Sequence, residues 1–163
     1  MADVLNQIEE RTLHGYDLLR EDCGLIDTEG IAGFVLRGDD RKGWLQGQVT
    51  NDVRRLESGN SSAFCLCSAT GQAQAVVSAW ALPAHILLTT APQCLPVVQH
   101  RVEHMVILED VAGEPTEGEW TLFSVQGPTA TRRLAEIVAL PNLDSGQATL
   151  DGAEVWCLRS DRT

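Results

Sequence analysis

The chain reads as an α+β protein built mainly on antiparallel sheet with flanking helices. Three observations predict this. Strand-like runs follow one another across tight turns, as in Ser62–Ser68, Thr70-Gly71 and Gln72–Leu82, and links this short join antiparallel neighbours. Residues 147–150 and 153–158 form a second such pair, with Asp151-Gly152 as the hairpin tip. Prolines at 92 and 128, the latter after Gly127, mark helix starts that separate the strand groups.

In chain order, residues 1–22 read as an N-terminal amphipathic helical segment, with Val4, Leu5, Ile8, Leu13 and Leu18 or Leu19 on a loose stripe that Gly15 interrupts. Residues 23–163 read as the α+β domain proper. Leu25–Asp27 and Ile31–Arg37 are strands about the turn Thr28-Glu29-Gly30. Asp39 or Asp40 caps a short helix carrying Trp44 and Leu45, and Arg54 to Asn60 is a loop. The hairpin at 62–82 is followed by Pro83-Ala84, a strand at His85–Thr90 and a helix from Pro92 to about Glu103. The apolar run Met105–Val111 predicts a strand, Gly113–Gly118 an acidic loop and Trp120–Gln126 another strand. A helix then runs to Val138. The later set of elements partly echoes the earlier one, as a pseudo-repeat cut short.

A chain of 163 residues is long enough for one sizeable core. Its 12 basic and 23 acidic residues give a net charge of -11, which opposes direct nucleic-acid binding through a basic face. Arg37, Arg41, Lys42, Arg54 and Arg55 form a local basic cluster. It reads as a solvated helix face or as an anchor for an anionic ligand. The first ten residues are polar and acidic, unlike a secretion signal, and no apolar run approaches a membrane span. Five cysteines, an odd number, then suggest free thiols in a cytoplasmic protein.

Other candidate chemistry has a plainer reading. His100-x-x-Glu103-His104 follows the order of one zinc-peptidase motif. Two histidines at a helix C-terminus also suit the helix dipole, and no third ligand follows in sequence. Cys65-x-Cys67 reads as core filling ahead of redox chemistry. Trp80 and Trp120, on predicted strands, read as packing residues ahead of stacking platforms for a flat heterocycle.

The segment Gly43-Trp44-Leu45-Gln46-Gly47-Gln48-Val49-Thr50-Asn51-Asp52-Val53 is the most distinctive. Its polar side chains make a poor hydrophobic stripe. Gln46, Gln48, Thr50 and Asn51 suit a flat polar ligand whose edge alternates donors and acceptors, and equally suit capping of the helix exit and adjacent backbone. The segment resembles the signature of the glycine-cleavage T-protein/YgfZ superfamily of tetrahydrofolate-binding proteins. Ile107-Leu108-Glu109-Asp110-Val111, Trp120-Thr121-Leu122 and Gln126-Gly127-Pro128-Thr129-Ala130 resemble later family segments in the same order.

The resemblance implies a folate-binding fold and candidate folate contacts at Gln46, Gln48, Thr50, Asn51, Gln74 and Thr90. It also implies a departure. The paired aspartates of aminomethyl-transferring members fall on Gln74 and Ala75, and a folate-contacting asparagine on Thr90. A carboxylate there serves to stabilise an iminium-like cation. Its replacement makes the chain similar to the YgfZ branch, whose members are linked to iron–sulfur protein maintenance and tRNA modification. The expectation is therefore a tetrahydrofolate-binding protein, with aminomethyl transfer or a ligand-free interaction module as rivals. No Lys-Gly-Cys-x-x-Gly-Gln-Glu motif is present. That points to the N-terminal portion of a longer ancestor, and to a homo-oligomer formed through open strand edges.

Overall fold

A computed structural model describes residues 14–28, 30–116, 121–138 and 145–158. Two compact units emerge.

The larger unit is a five-stranded, wholly antiparallel sheet. Its strands are β2 (Ala32–Arg37), β3 (Ser61–Cys67), β4 (Ala73–Ala81), β5 (Ile86–Thr90) and β6 (Ala112–Pro115), in the order β3-β4-β5-β2-β6. Strand β4 shows why the sheet has one dry face. Ala75, Val77, Ala79 and Ala81 are buried, while between them Val76 is exposed and Ser78 and Trp80 are partly exposed, the period-2 alternation of a strand packed on one side. Those residues join Phe34, Leu36, Phe64, Leu66, Ile86 and Leu88 in a single core. Two helices supply its other half: Trp44 and Leu45 from α2 (Arg41–Gln46), and Val98 and Val102 from α3 (Leu95–Met105). A one-turn 3-10 helix, Pro92–Cys94, leads into α3.

The expected strand at Met105–Val111 is not formed. Helix α3 runs through Met105, and the next six residues are a loop that leaves Ile107 81% and Leu108 94% exposed. Carboxylates decide this. One Glu109 side-chain oxygen accepts the N–H of both Ile107 and Leu108, at 3.0 and 3.1 Å. Asp110 is tied to the start of α2, taking the Asp39 N–H at 2.9 Å and giving its own N–H to Asp40 at 2.8 Å. Local side-chain acceptors thus displace ladder bonds. The strand appears instead at Ala112–Pro115, expected to be loop, where Glu114 lies opposite Val35 and forms an ion pair with Arg37 at 3.3 Å.

The smaller unit holds the helical residues 14–21 (α1), an antiparallel pair of β1 (Gly24–Asp27) with β7 (Phe123–Gln126), and α4 (Ala130–Ile137). Asp22 organises it, accepting hydrogen bonds from Thr129 Oγ1 and from Arg133, the latter at 3.2 Å. These bonds, the Thr129 one foremost, hold the Asp22 carboxyl below its ordinary pKa. Strands β8 (Ser145–Leu150) and β9 (Ala153–Leu158) form the expected hairpin. Asp151 and Gly152 both take positive φ, 49° and 85°, the conformation a two-residue hairpin turn with native twist demands. The expected strand from Trp120 is shorter, and Trp120 itself lies outside the described residues.

His85, between β4 and β5, is held below its ordinary pKa by burial and then by the charges of Arg37 and Arg41. The native state therefore favours the neutral ring. That contribution is complete above about pH 6.5, the free-histidine value, and fades as pH falls below it. We expect the melting temperature to drop between pH 7.5 and 5.5, and the drop to shrink in His85→Gln.

Candidate functional site

The signature segment leaves α2 and runs along the outer edge of β3. Gln46 Oε1 accepts the Val53 N–H at 2.7 Å. Val49 bridges Leu66, and Thr50 exchanges two bonds with Cys65: its N–H to the Cys65 carbonyl at 3.3 Å, and its Oγ1 from the Cys65 N–H at 2.9 Å. Asn51 Nδ2 donates to the Ala63 carbonyl at 3.0 Å and to Ser62 Oγ at 3.3 Å, while its Oδ1 takes the Asp52 N–H at 2.8 Å. Three of the four signature side chains thus satisfy the backbone of the α2 exit and of an edge strand, whose groups need partners. We expect Asn51→Ala to cost about 1–2 kcal/mol in urea unfolding.

Asp52 and Arg54 form a close pair at 2.7 Å. The arginine's side-chain bond, then its backbone bond, brings the Asp52 pKa down to about 2. Elsewhere in the expected basic cluster, Lys42 pairs with Glu57 at 3.0 Å and Arg37 with Glu114 at 3.3 Å. Arg41 donates to the Gly38 carbonyl at 2.6 Å, and Arg55 is exposed. Most of that cluster's charge is already matched.

Gln48 behaves differently from its neighbours. It lines a small apolar cavity of about 10 Å³ among Trp44, Phe64, Val98, Arg101 and Val102. Arg101 crosses from α3 to the end of the β3-β4 hairpin. Its Nη2 donates to the Cys67 carbonyl at 2.5 Å and to Gln74 Oε1 at 3.4 Å. Gln74 is aimed there by an irregularity in the ladder. Leu66 pairs with Ala75, but Cys67 pairs with Ala73, so Gln74 is the extra residue of a bulge, a device that redirects one side chain. Cys94 also touches the Gln74 carbonyl, at 3.9 Å.

The structure therefore brings Gln74 to the Arg101 guanidinium, while Gln48 shares with Arg101 only the lining of the small cavity. Gln46, Thr50 and Asn51 belong to the β3 edge. Thr90 is buried on β5, opposite Val77, and donates to the Val76 carbonyl at 2.7 Å. Arg101 occupies the first variable position of the His-x-x-Glu-His run. Its signal was helical spacing: with Val98 and Val102 it shares the inward side of α3. The histidines of that run stack at 3.9 Å, and no group of three metal-type ligands occurs among the described residues. Trp80 gives its indole N–H to Thr89 Oγ1 at 3.0 Å, a packing arrangement.

Residues 6–161 match the sequence profile of the GCVT N-terminal domain. The chain belongs to that family. The aminomethyltransferase of Rubrobacter xylanophilus is 29% identical over 125 residues, 76% of this chain and 33% of that protein. The Listeria monocytogenes aminomethyltransferase is 26% identical over 124 residues, 75% of this chain and 34% of that one. The GCVT N-terminal fold also appears in the crystal structure of the glycine cleavage system aminomethyltransferase T from Bartonella henselae. Its TM-score is 0.68 at 19% identity, over 80% of this chain and 36% of that one. This GCVT N-terminal chain spans about one third of the length of these relatives. No helix among its described residues is long and apolar enough to cross a membrane.

Proposed function

We propose that this chain forms one wall of a tetrahydrofolate site of the aminomethyltransferase type, and that it binds the cofactor without supplying the carboxylate for transfer. Membership of the GCVT N-terminal family carries the first part, with relatives named as aminomethyltransferases. Gln74 carries the second. Of the two positions that the resemblance assigns to aspartates, Ala75 is 4% exposed inside the core, where an ionised acid is strongly disfavoured. The other presents an amide whose oxygen is held by Arg101.

The residues suit a bound folate as a rim. The small apolar cavity has no space for a pterin ring; beside it Arg101 donates to the Gln74 amide oxygen at 3.4 Å. Bound tetrahydrofolate would supply the nitrogens that accept a one-carbon unit. This chain's part is to orient it.

The missing acid also supports the YgfZ-like reading, with its link to iron–sulfur protein maintenance and tRNA modification. The named relatives favour the aminomethyltransferase side. A homo-oligomer through strand edges has weaker support, since residues 49–51 cover β3 and β6 is four residues ending in proline. The deciding assay is methylene-tetrahydrofolate formation from an aminomethyl donor. We expect none from this chain; turnover above the uncatalysed rate would overturn the binding-only reading.

A further inference from the structure

We infer that His100 and His104 form a two-imidazole chelate on the outer face of α3, a site for one divalent transition-metal ion of the Ni²⁺, Cu²⁺ or Zn²⁺ kind, with water filling the rest of its shell. Helical spacing places the pair. Residues at i and i+4 share a face, and Val98 and Val102 turn the opposite side of α3 into the core. Both histidines are exposed, yet their rings lie face to face, with centroids 3.9 Å apart and planes 13° from parallel. Two imidazole nitrogens on one ion, each at about 2.1 Å from it, stand about 3 Å apart. The stack is already near that separation. Rotation about χ2, a soft torsion in histidine, turns the nitrogens from parallel to convergent. One hydrogen bond selects the ligand atom. His104 Nδ1 lies 3.0 Å from the His100 carbonyl. A carbonyl only accepts, so Nδ1 carries the proton and the neutral ring keeps its lone pair on Nε2, the arrangement in which a backbone oxygen orients a metal-binding histidine. Imidazole suits these transition ions and not Mg²⁺ or Ca²⁺. No third His, Cys, Asp or Glu joins the pair among the described residues, so the site is an open, exchangeable one rather than a closed structural centre. Neither histidine lines the small cavity, and the inference stands apart from the folate reading.

Chelation also has a mechanical consequence. It spans the last turn of α3, and an unfolded chain does not hold the two rings together, so an ion on the pair stabilises the native state. The test titrates Ni²⁺ alone, near neutral pH, into the reduced wild-type chain, His100→Gln, His104→Gln and His14→Gln. His14 is exposed too, so it reports what one surface imidazole contributes. Glutamine is a good helix former and these positions face water, so the variants are expected to fold, which circular dichroism checks. Calorimetry is expected to show one equivalent bound, with affinity about tenfold or more weaker in His100→Gln and in His104→Gln and unchanged in His14→Gln. Ni²⁺ is expected to raise the melting temperature of the wild type and of His14→Gln, and to leave the other two unmoved. A loss in only one of the two α3 variants overturns the chelate, because a single ring would then hold the ion. Unchanged affinity in both also overturns it, and sulfur-to-nickel absorption would then assign the ion to the free cysteines. Folded wild-type protein that gives no saturable binding, or whose melting temperature is unmoved by saturating Ni²⁺, overturns it as well.

Discussion

Gly38→Ala is expected to lower the stability of this protein by about 3 kcal/mol or more. Gly38 sits between β2 and α2 with φ at +101°, where a side chain is strained, and an added Cβ falls 1.9 Å from the Asp110 carbonyl oxygen. That oxygen belongs to backbone and cannot rotate away. It also accepts the Asp40 N–H at 3.2 Å, so relief of the clash pulls the 106–111 loop from the start of α2. Gly43, within α2, is the matched control: nothing lies within 4 Å of its added Cβ. Gly43→Ala is expected to be neutral or stabilising by up to about 1 kcal/mol, since alanine is the better helix former. Chemical denaturation of the two variants side by side checks both signs.

Trp44→Ala is the second large effect, at about 3–5 kcal/mol. The indole is 6% exposed in the core, and its N–H donates to the Met105 carbonyl at 3.0 Å. It therefore fills space under α3 and satisfies a carbonyl at the end of that helix, where intrahelical donors run out. Trp44→Phe separates the two roles. It keeps most of the apolar burial and loses the hydrogen bond, for an expected cost of about 1–2 kcal/mol. Far-ultraviolet circular dichroism in urea is the suitable readout, because the substitution alters fluorescence directly.

The β3-β4 hairpin, β5, α3 and the β8-β9 hairpin were legible in sequence because their signals are local: alternation, a glycine turn, a proline-led helix, an Asp-Gly tip. The run from Val106 to Val111 was misread because an apolar stretch looks like a strand until the acids beside it are seen to satisfy its N–H groups. Which backbone groups need a side-chain partner depends on where the chain turns. For the same reason, sequence could not separate a pterin contact from a backbone clip at Gln46, Thr50 and Asn51. Gln74 was singled out, but its partner was not. The Arg101 contact arises from a one-residue bulge and a helix crossing 27 positions away, and no local pattern records such a meeting.

These placements change what a binding experiment reports. Loss of ligand affinity in Asn51→Ala would reflect a loosened β3 edge as readily as a lost contact, whereas Gln48 lines the small cavity. The central claim, that this chain contributes to a tetrahydrofolate site, is tested most directly by calorimetric titration of tetrahydrofolate under reducing conditions at high protein concentration. The account predicts saturable binding that weakens in Gln48→Ala while the fold persists. A folded protein that gives no binding heat, and whose melting temperature is unmoved by excess tetrahydrofolate, would contradict it.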